Sequence, residues 1–198
     1  GAGVNNIPVD KLSKLGVPVF NAPGANANAV KELVLAGMLL AARHLCQAWQ
    51  FVQQLPGDGA ALDKAVEAGK KNFAGFELPS RTLGVVGLGA IGVQVSNAAL
   101  ALGMRVIGFD PQITVERAWE LSSGVEKARS LDELFSRADM ITMHVPLVDA
   151  TRRLVNETRL RLMPDKGVIL NFARGEIVDE AAILAALASG KLAAYVCD

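Results

Sequence analysis

Thr82-Leu83-Gly84-Val85-Val86-Gly87-Leu88-Gly89-Ala90-Ile91-Gly92 is an apolar run that opens into three glycines at the spacing G-x-G-x-x-G. Each glycine in such a pattern has a separate mechanical task. Gly87 permits a tight turn, Gly89 lets the backbone come close to a pyrophosphate, and Gly92 allows a helix to pack closely on a strand. A glycine triplet alone is a weak signal. Here a strand precedes it, helical spacing follows over Ala90 to Leu102, and a second apolar run from Arg105 to Phe109 ends in Asp110. That context makes the stretch a dinucleotide-binding signature, in which the helix N-terminus offers free N–H groups and a positive dipole end to phosphates.

Asp110 follows Gly92 by 18 residues. A carboxylate at that strand end can accept hydrogen bonds from ribose hydroxyls and would repel a 2'-phosphate. Pro111-Gln112-Ile113 brings no adjacent arginine to neutralise such a phosphate, so NAD is expected in preference to NADP. The competing reading is a turn residue before Pro111.

Beyond the glycines, strand and helix signals alternate. Strands are expected at 82–86, 105–109, 140–144, 167–171 and 193–197, with a weak one near Val125. Helices are expected at 90–102, 116–121, 131–137, 156–162 and 179–189. Short connections between such elements imply a doubly wound α/β fold, with a parallel sheet covered on both faces. Upstream, 8–15 has helical spacing up to Gly16, and Val17 to Phe20 reads as a short strand. The segment 1–20 is therefore expected to be the tail of a preceding substrate domain, and 21–198 the nucleotide-binding domain. Asn26 to Leu55 reads as one long helix. Its apolar residues, Leu33, Val34, Leu35, Met38, Leu39, Leu40 and Leu45, exceed what one face of a sheet covers, which predicts a homodimer through this helix. His44 reads as a structural residue within it, and Trp49 and Phe51 as packing residues or interface anchors.

Composition limits the partners. Lys plus Arg and Asp plus Glu both number 20, so no net field draws the chain to nucleic acid or to an anionic membrane. The apolar stretch from Val30 to Ala42 is interrupted by Lys31, Glu32 and Gly37 and is too short to span a bilayer. A small-molecule partner and a cytoplasmic setting are the expectations that follow. Cys46 and Cys197 form neither a C-x-x-C pair nor a cluster with histidine, so no metal site is expected and each reads as a small core residue.

Two further residues sit where an open α/β sheet binds its ligands. Arg174, in Gly167-Val-Ile-Leu-Asn-Phe-Ala-Arg-Gly-Glu-Ile-Val-Asp-Glu, follows the carboxyl end of a buried strand. An arginine there can hold a substrate carboxylate with two parallel bonds, although spacing alone fits a solvated loop arginine equally well. His144, before Val145-Pro146, ends another strand. It could act as an acid or base, but a strand-end histidine satisfied by backbone groups is the preferred reading.

The blocks Gly1-Ala-Gly-Val-Asn-Asn-Ile, Asn21-Ala-Pro-Gly-Ala-Asn, Leu83-Gly-Val-Val-Gly-Leu-Gly-Ala-Ile-Gly, His144-Val-Pro-Leu and Asn171-Phe-Ala-Arg-Gly-Glu-Ile-Val-Asp-Glu resemble the D-isomer-specific 2-hydroxyacid dehydrogenases along the whole chain. Gly1 to Ile7 and Asn21 to Leu33 look most like the branch acting on 3-phosphoglycerate at the entry to serine synthesis. The resemblance implies that Arg174 orients the substrate. It also implies that Ala90, Ile91, Asp110, Val145, Phe172, Ala173 and Asp198 border the dinucleotide, and His144 and Pro146 are grouped with Val145 on that edge. Asp198 would face the nicotinamide carboxamide. The family's acid/base histidine and its glutamate partner lie further along than position 198, so these residues are expected to form a catalytically incomplete fragment. A NAD-sensing regulator resembling the family's corepressors is the alternative.

Overall fold

Six short runs rich in β-branched and aliphatic residues pair side by side, all parallel. The computed structural model describes residues 3–4 and 6–198. The strands are β1 (Thr82–Val86), β2 (Arg105–Phe109), β3 (Val125–Lys127), β4 (Met140–Met143), β5 (Gly167–Asn171) and β6 (Leu192–Cys197), in the spatial order β3-β2-β1-β4-β5-β6. From β1 the chain winds outward to β3, returns to β4 on the other side of β1, and winds outward again. The reversal leaves a crevice between the carboxyl ends of β1 and β4, where sheets of this topology take their ligands.

Nine helices are described: α1 (Val9–Lys14), α2 (Ala27–Arg43), α3 (Leu45–Gln53), α4 (Gly59–Gly69), α5 (Ala90–Ala101), α6 (Val115–Glu120), α7 (Leu131–Arg137), α8 (Glu157–Leu162) and α9 (Glu180–Ala188). Every residue of β1, β4 and β5 is buried, as expected of central parallel strands covered on both faces. Alternate side chains feed two cores. Leu83, Val85, Met140, Val168 and Leu170 pack with Val34 and Met38 of α2 and with Val93 and Ala99 of α5. Val86, Ile141 and Ile169 pack on the opposite face with Leu134 and Phe135 of α7, Leu160 of α8 and Ile183 of α9. Side-chain caps fix four helix starts: Thr114, Ser130, Asn156 and Asp179 accept the main-chain N–H three residues on at α6, α7, α8 and α9. Each such cap stabilises its helix by about 1 kcal/mol.

Three expectations need correction. The segment 26–55 is two helices, because His44 adopts the left-handed conformation at φ 51° between α2 and α3. The cause lies outside the segment: Phe76 donates its N–H to the Ala42 carbonyl at 2.9 Å, taking the acceptor that an uninterrupted helix would offer to Cys46. The run 17–20 forms no strand. It pairs with no strand among the described residues, its Val17 N–H turning back to the Leu12 carbonyl at 3.0 Å, and Val17 and Phe20 are exposed. Cys46 and Cys197 are both exposed rather than in the core, one on α3 and the other closing the edge strand β6. α1 matches its expected span and buries no residue.

Candidate cofactor-binding site

The glycine turn is built as its spacing predicts. Gly87 has φ 93°, and a side chain there would meet the His144 carbonyl oxygen at 2.6 Å. A Cβ on Gly92 would fall 1.9 Å from the Gly87 carbonyl oxygen, so this position admits no larger residue without moving the turn. Gly89 differs from both: a Cβ there would have nothing within 4 Å. The space above Gly89 is open, and it faces the N-terminus of α5.

That N-terminus contrasts with those of α6 to α9. Gly89 caps α5 without a side chain, and no cap hydrogen bond forms. The first intrahelical bond runs from the Val93 N–H to the Gly89 carbonyl, which leaves the first-turn N–H groups at Ala90 and Ile91 directed into the open space. Across the turn, Asp110 accepts the Leu88 N–H on Oδ2 and the Gln112 N–H on Oδ1, each at 2.8 Å. Asp110 thus anchors the turn at Pro111, and its remaining lone pairs stay at the strand end. Open space, N–H donors without a side-chain cap and an acceptor beside them fit a dinucleotide.

Val145 packs on the turn, its Cγ1 lying 2.9 Å from where a Gly87 side chain would begin. His144 donates its N–H to the Val86 carbonyl at 2.8 Å, but its ring is not satisfied by backbone as expected. Nε2 pairs with the buried Thr142 hydroxyl at 3.0 Å. Burial pushes the His144 pKa down to about 4, which keeps the imidazole neutral near pH 7. Pro146 is exposed and accepts the Thr151 hydroxyl at 2.6 Å.

Phe172, Ala173, Arg174 and Asp198 come together around a second cleft of about 590 Å³, lined also by Asn26 and Val30 of α2 and by Tyr195. The loop that carries Arg174 is held from below. Buried Asn171 donates through Nδ2 to the Arg174 carbonyl at 2.8 Å and accepts the Ala173 N–H on Oδ1 at 3.2 Å. Tyr195, whose hydroxyl burial pushes up in pKa, stands 3.4 Å from the same Nδ2. Arg174 itself is exposed, with Nη1 on the Ala173 carbonyl at 2.8 Å. Gly3 lies close to it, since a Cβ there would meet Nη2 at 2.8 Å. Gly1, Ala2 and Asn5 of that N-terminal block lie outside the described residues. Sequence reasoning gave Asn171 no role, although a polar residue closing an apolar strand is a signal for one. Among the described residues no cluster of three metal-ligating side chains occurs, and no helix is long and apolar enough to cross a membrane.

A sheet of this order with an open helix end at its switch point is a dinucleotide-binding Rossmann domain. Its family follows from comparison with known proteins: the profile of the D-isomer specific 2-hydroxyacid dehydrogenase, NAD binding domain, matches residues 35–198, and the chain belongs to that family. NAD is thus its cofactor. The D-3-phosphoglycerate dehydrogenase of Methanocaldococcus jannaschii is 43% identical over 198 residues, covering 100% of this chain and 35% of that protein. The hydroxypyruvate reductase of Thermotoga maritima is 38% identical, covering 100% of this chain and 59% of the relative. Among solved structures, the D-lactate dehydrogenase of Aquifex aeolicus, complexed with NAD and lactic acid, matches with a TM-score of 0.80 at 30% identity, covering 100% of this chain and 55% of that one. The chain spans roughly one third to three fifths of the length of these relatives.

Proposed function

We propose that this chain is the cofactor module of a dehydrogenase acting on a D-2-hydroxy acid, with 3-phosphoglycerate as the substrate and serine synthesis in the cytoplasm as the setting. The observation that carries the reading is the glycine turn: a helix start at the sheet's switch point whose first-turn N–H groups have no side-chain cap, with open space over Gly89 where an anion can take them. NAD, when bound, supplies the hydride acceptor. The chain's own residues bind and orient. The Gly89 turn and the first turn of α5 hold the pyrophosphate, and Asp110 accepts the ribose hydroxyls. Val145, flanked by His144 and Pro146, lines the turn, and Phe172, Ala173 and Asp198 border the nicotinamide end. Arg174 holds the substrate carboxylate, steadied by Asn171 through the loop. His144, paired with Thr142 and with a pKa lowered by burial, is assigned to the wall of the turn. The enzyme names of the relatives favour this reading over a NAD-sensing regulator.

Calorimetric titration tests it: the chain binds NAD, and Gly89→Val abolishes binding while the melting curve stays within about 0.5 kcal/mol, as for a change that meets no neighbour. Retained binding in that variant overturns the placement of the pyrophosphate.

The same reading includes a homodimer. Leu33, Leu39 and Leu40 of α2 and Leu45 and Trp49 of α3 are exposed, and a twofold axis would pair this patch with itself. Sedimentation equilibrium gives a dimer mass that Leu40→Glu reduces to that of the monomer; a wild-type chain already monomeric at micromolar concentration refutes it.

A further inference from the structure

Asp110 and the lack of an arginine in the three residues after it favour NAD. The sheet adds a second strand end. β3 pairs with β2 in the register Gly108↔Lys127, and the Ala128 N–H continues the ladder to the Gly108 carbonyl at 2.9 Å. Asp110 and Arg129 each follow the last paired residues, Gly108 and Lys127, by two positions, just past the carboxyl ends of the two strands. All four line one cavity of about 450 Å³, together with Leu88 of the glycine turn.

Among the described residues the Arg129 guanidinium and the Lys127 ammonium form no hydrogen bond or salt bridge; the Arg129 main-chain N–H is held by Glu133 Oε2 at 2.7 Å, and its guanidinium lies within electrostatic reach of the same carboxylate. Arg137 pairs with both Glu126 and Glu133, and Asp110 holds the Leu88 and Gln112 N–H groups. The ribose end of the site is therefore not the single-anion environment that the Asp110 segment alone describes.

We propose that Arg129, supported by Lys127, is a second determinant of cofactor choice and gives this chain measurable affinity for a 2'-phosphorylated dinucleotide. Asp110 still favours the free hydroxyl, so NAD binds better. Arg129 faces it with the charge and planar donors that a phosphate monoester takes, and the discrimination is thereby narrowed. The proposal rests on the cofactor lying along this sheet edge.

Calorimetric titrations of NAD and NADP into the wild-type chain and into Arg129→Ser test it. Circular dichroism serves as the check of fold; the side chain is exposed and its main-chain bond survives the change. Expected is NADP binding within about thirtyfold of NAD in the wild type, and a further loss of about tenfold or more for NADP alone in the variant, the range of one charge-assisted contact. NAD changes by less than about twofold. Equal losses for both nucleotides would make Arg129 an adenine contact and overturn the proposal, as would an unchanged NADP affinity. NAD bound with NADP undetected overturns it too, while the cofactor site stands. Absence of NAD binding in the wild type instead brings down the site itself.

Discussion

The two ends of the cofactor edge are built from different materials. At the glycine turn the shape comes from main chain: two glycines that tolerate no side chain, one that leaves a void, and a helix start without a side-chain cap. At the loop after β5 it comes from side chains, with exposed Arg174 held through its own carbonyl by buried Asn171. A site made of backbone is complete as soon as its strand and helix have packed. A site made of a loop arginine depends on every bond beneath it, and its chemistry on what approaches from outside.

Substitutions can test that contrast. The largest effect is expected at Gly92, where valine would drive a side chain into the Gly87 carbonyl and destabilise the domain by about 3 kcal/mol or more. Thermal unfolding should show it, and a melting curve close to that of the parent chain would mean the turn is softer than its geometry. Asn171→Ala comes next. It strips two main-chain groups of their partners and costs about 2 kcal/mol. Hydrogen exchange should locate the damage, with the amides of 172–175 losing protection while those of β1 and α5 keep theirs. Uniform loss across both ends would erase the distinction drawn here. The smallest effect belongs to His144, which lies between the two ends. Its folded pKa, about 4, is below the ordinary 6.5, so between those values the unfolded chain binds a proton that the folded chain does not. Stability is full above pH 6.5 and declines as pH falls towards 4, by about 1–2 kcal/mol for a residue that still borders solvent. Unfolding midpoints measured across that window should show the slope, and His144→Phe should remove its share.

The glycine turn was legible because everything it needs is contiguous. Thr82 to Gly92 contains strand, turn and helix start in one run, and Asp110 closes the next strand. The sheet was legible for a related reason, since buried parallel strands appear as bounded apolar runs. What the sequence hid depends on partners distant in the chain. The break at His44 is caused by Phe76, and the run at 17–20 has strand chemistry but nothing described to pair with. The engagement of Asn171 with Tyr195 and the cavity shared by Asp110 and Arg129 exist only after the sheet has assembled.

The position of α2 bears on the order in which the domain can be made. The helix precedes β1 in the chain, yet a side chain at its Gly37 would touch Leu170 of β5, Phe172 and Val196 of β6 within 3.2 Å. The surface that receives α2 is thus finished only when the last strand has been synthesised. At roughly 5–20 residues per second, a separation of about 160 residues keeps the helix waiting on the order of ten seconds or more. Until α5 has been made, Val34 and Met38, fully buried in the finished domain, have no native surface to rest on, and even then the part formed by β5 and β6 is still missing. A growing chain that carries them has a strong reason to engage a chaperone early, before its nucleotide-binding turn has a sheet to stand on.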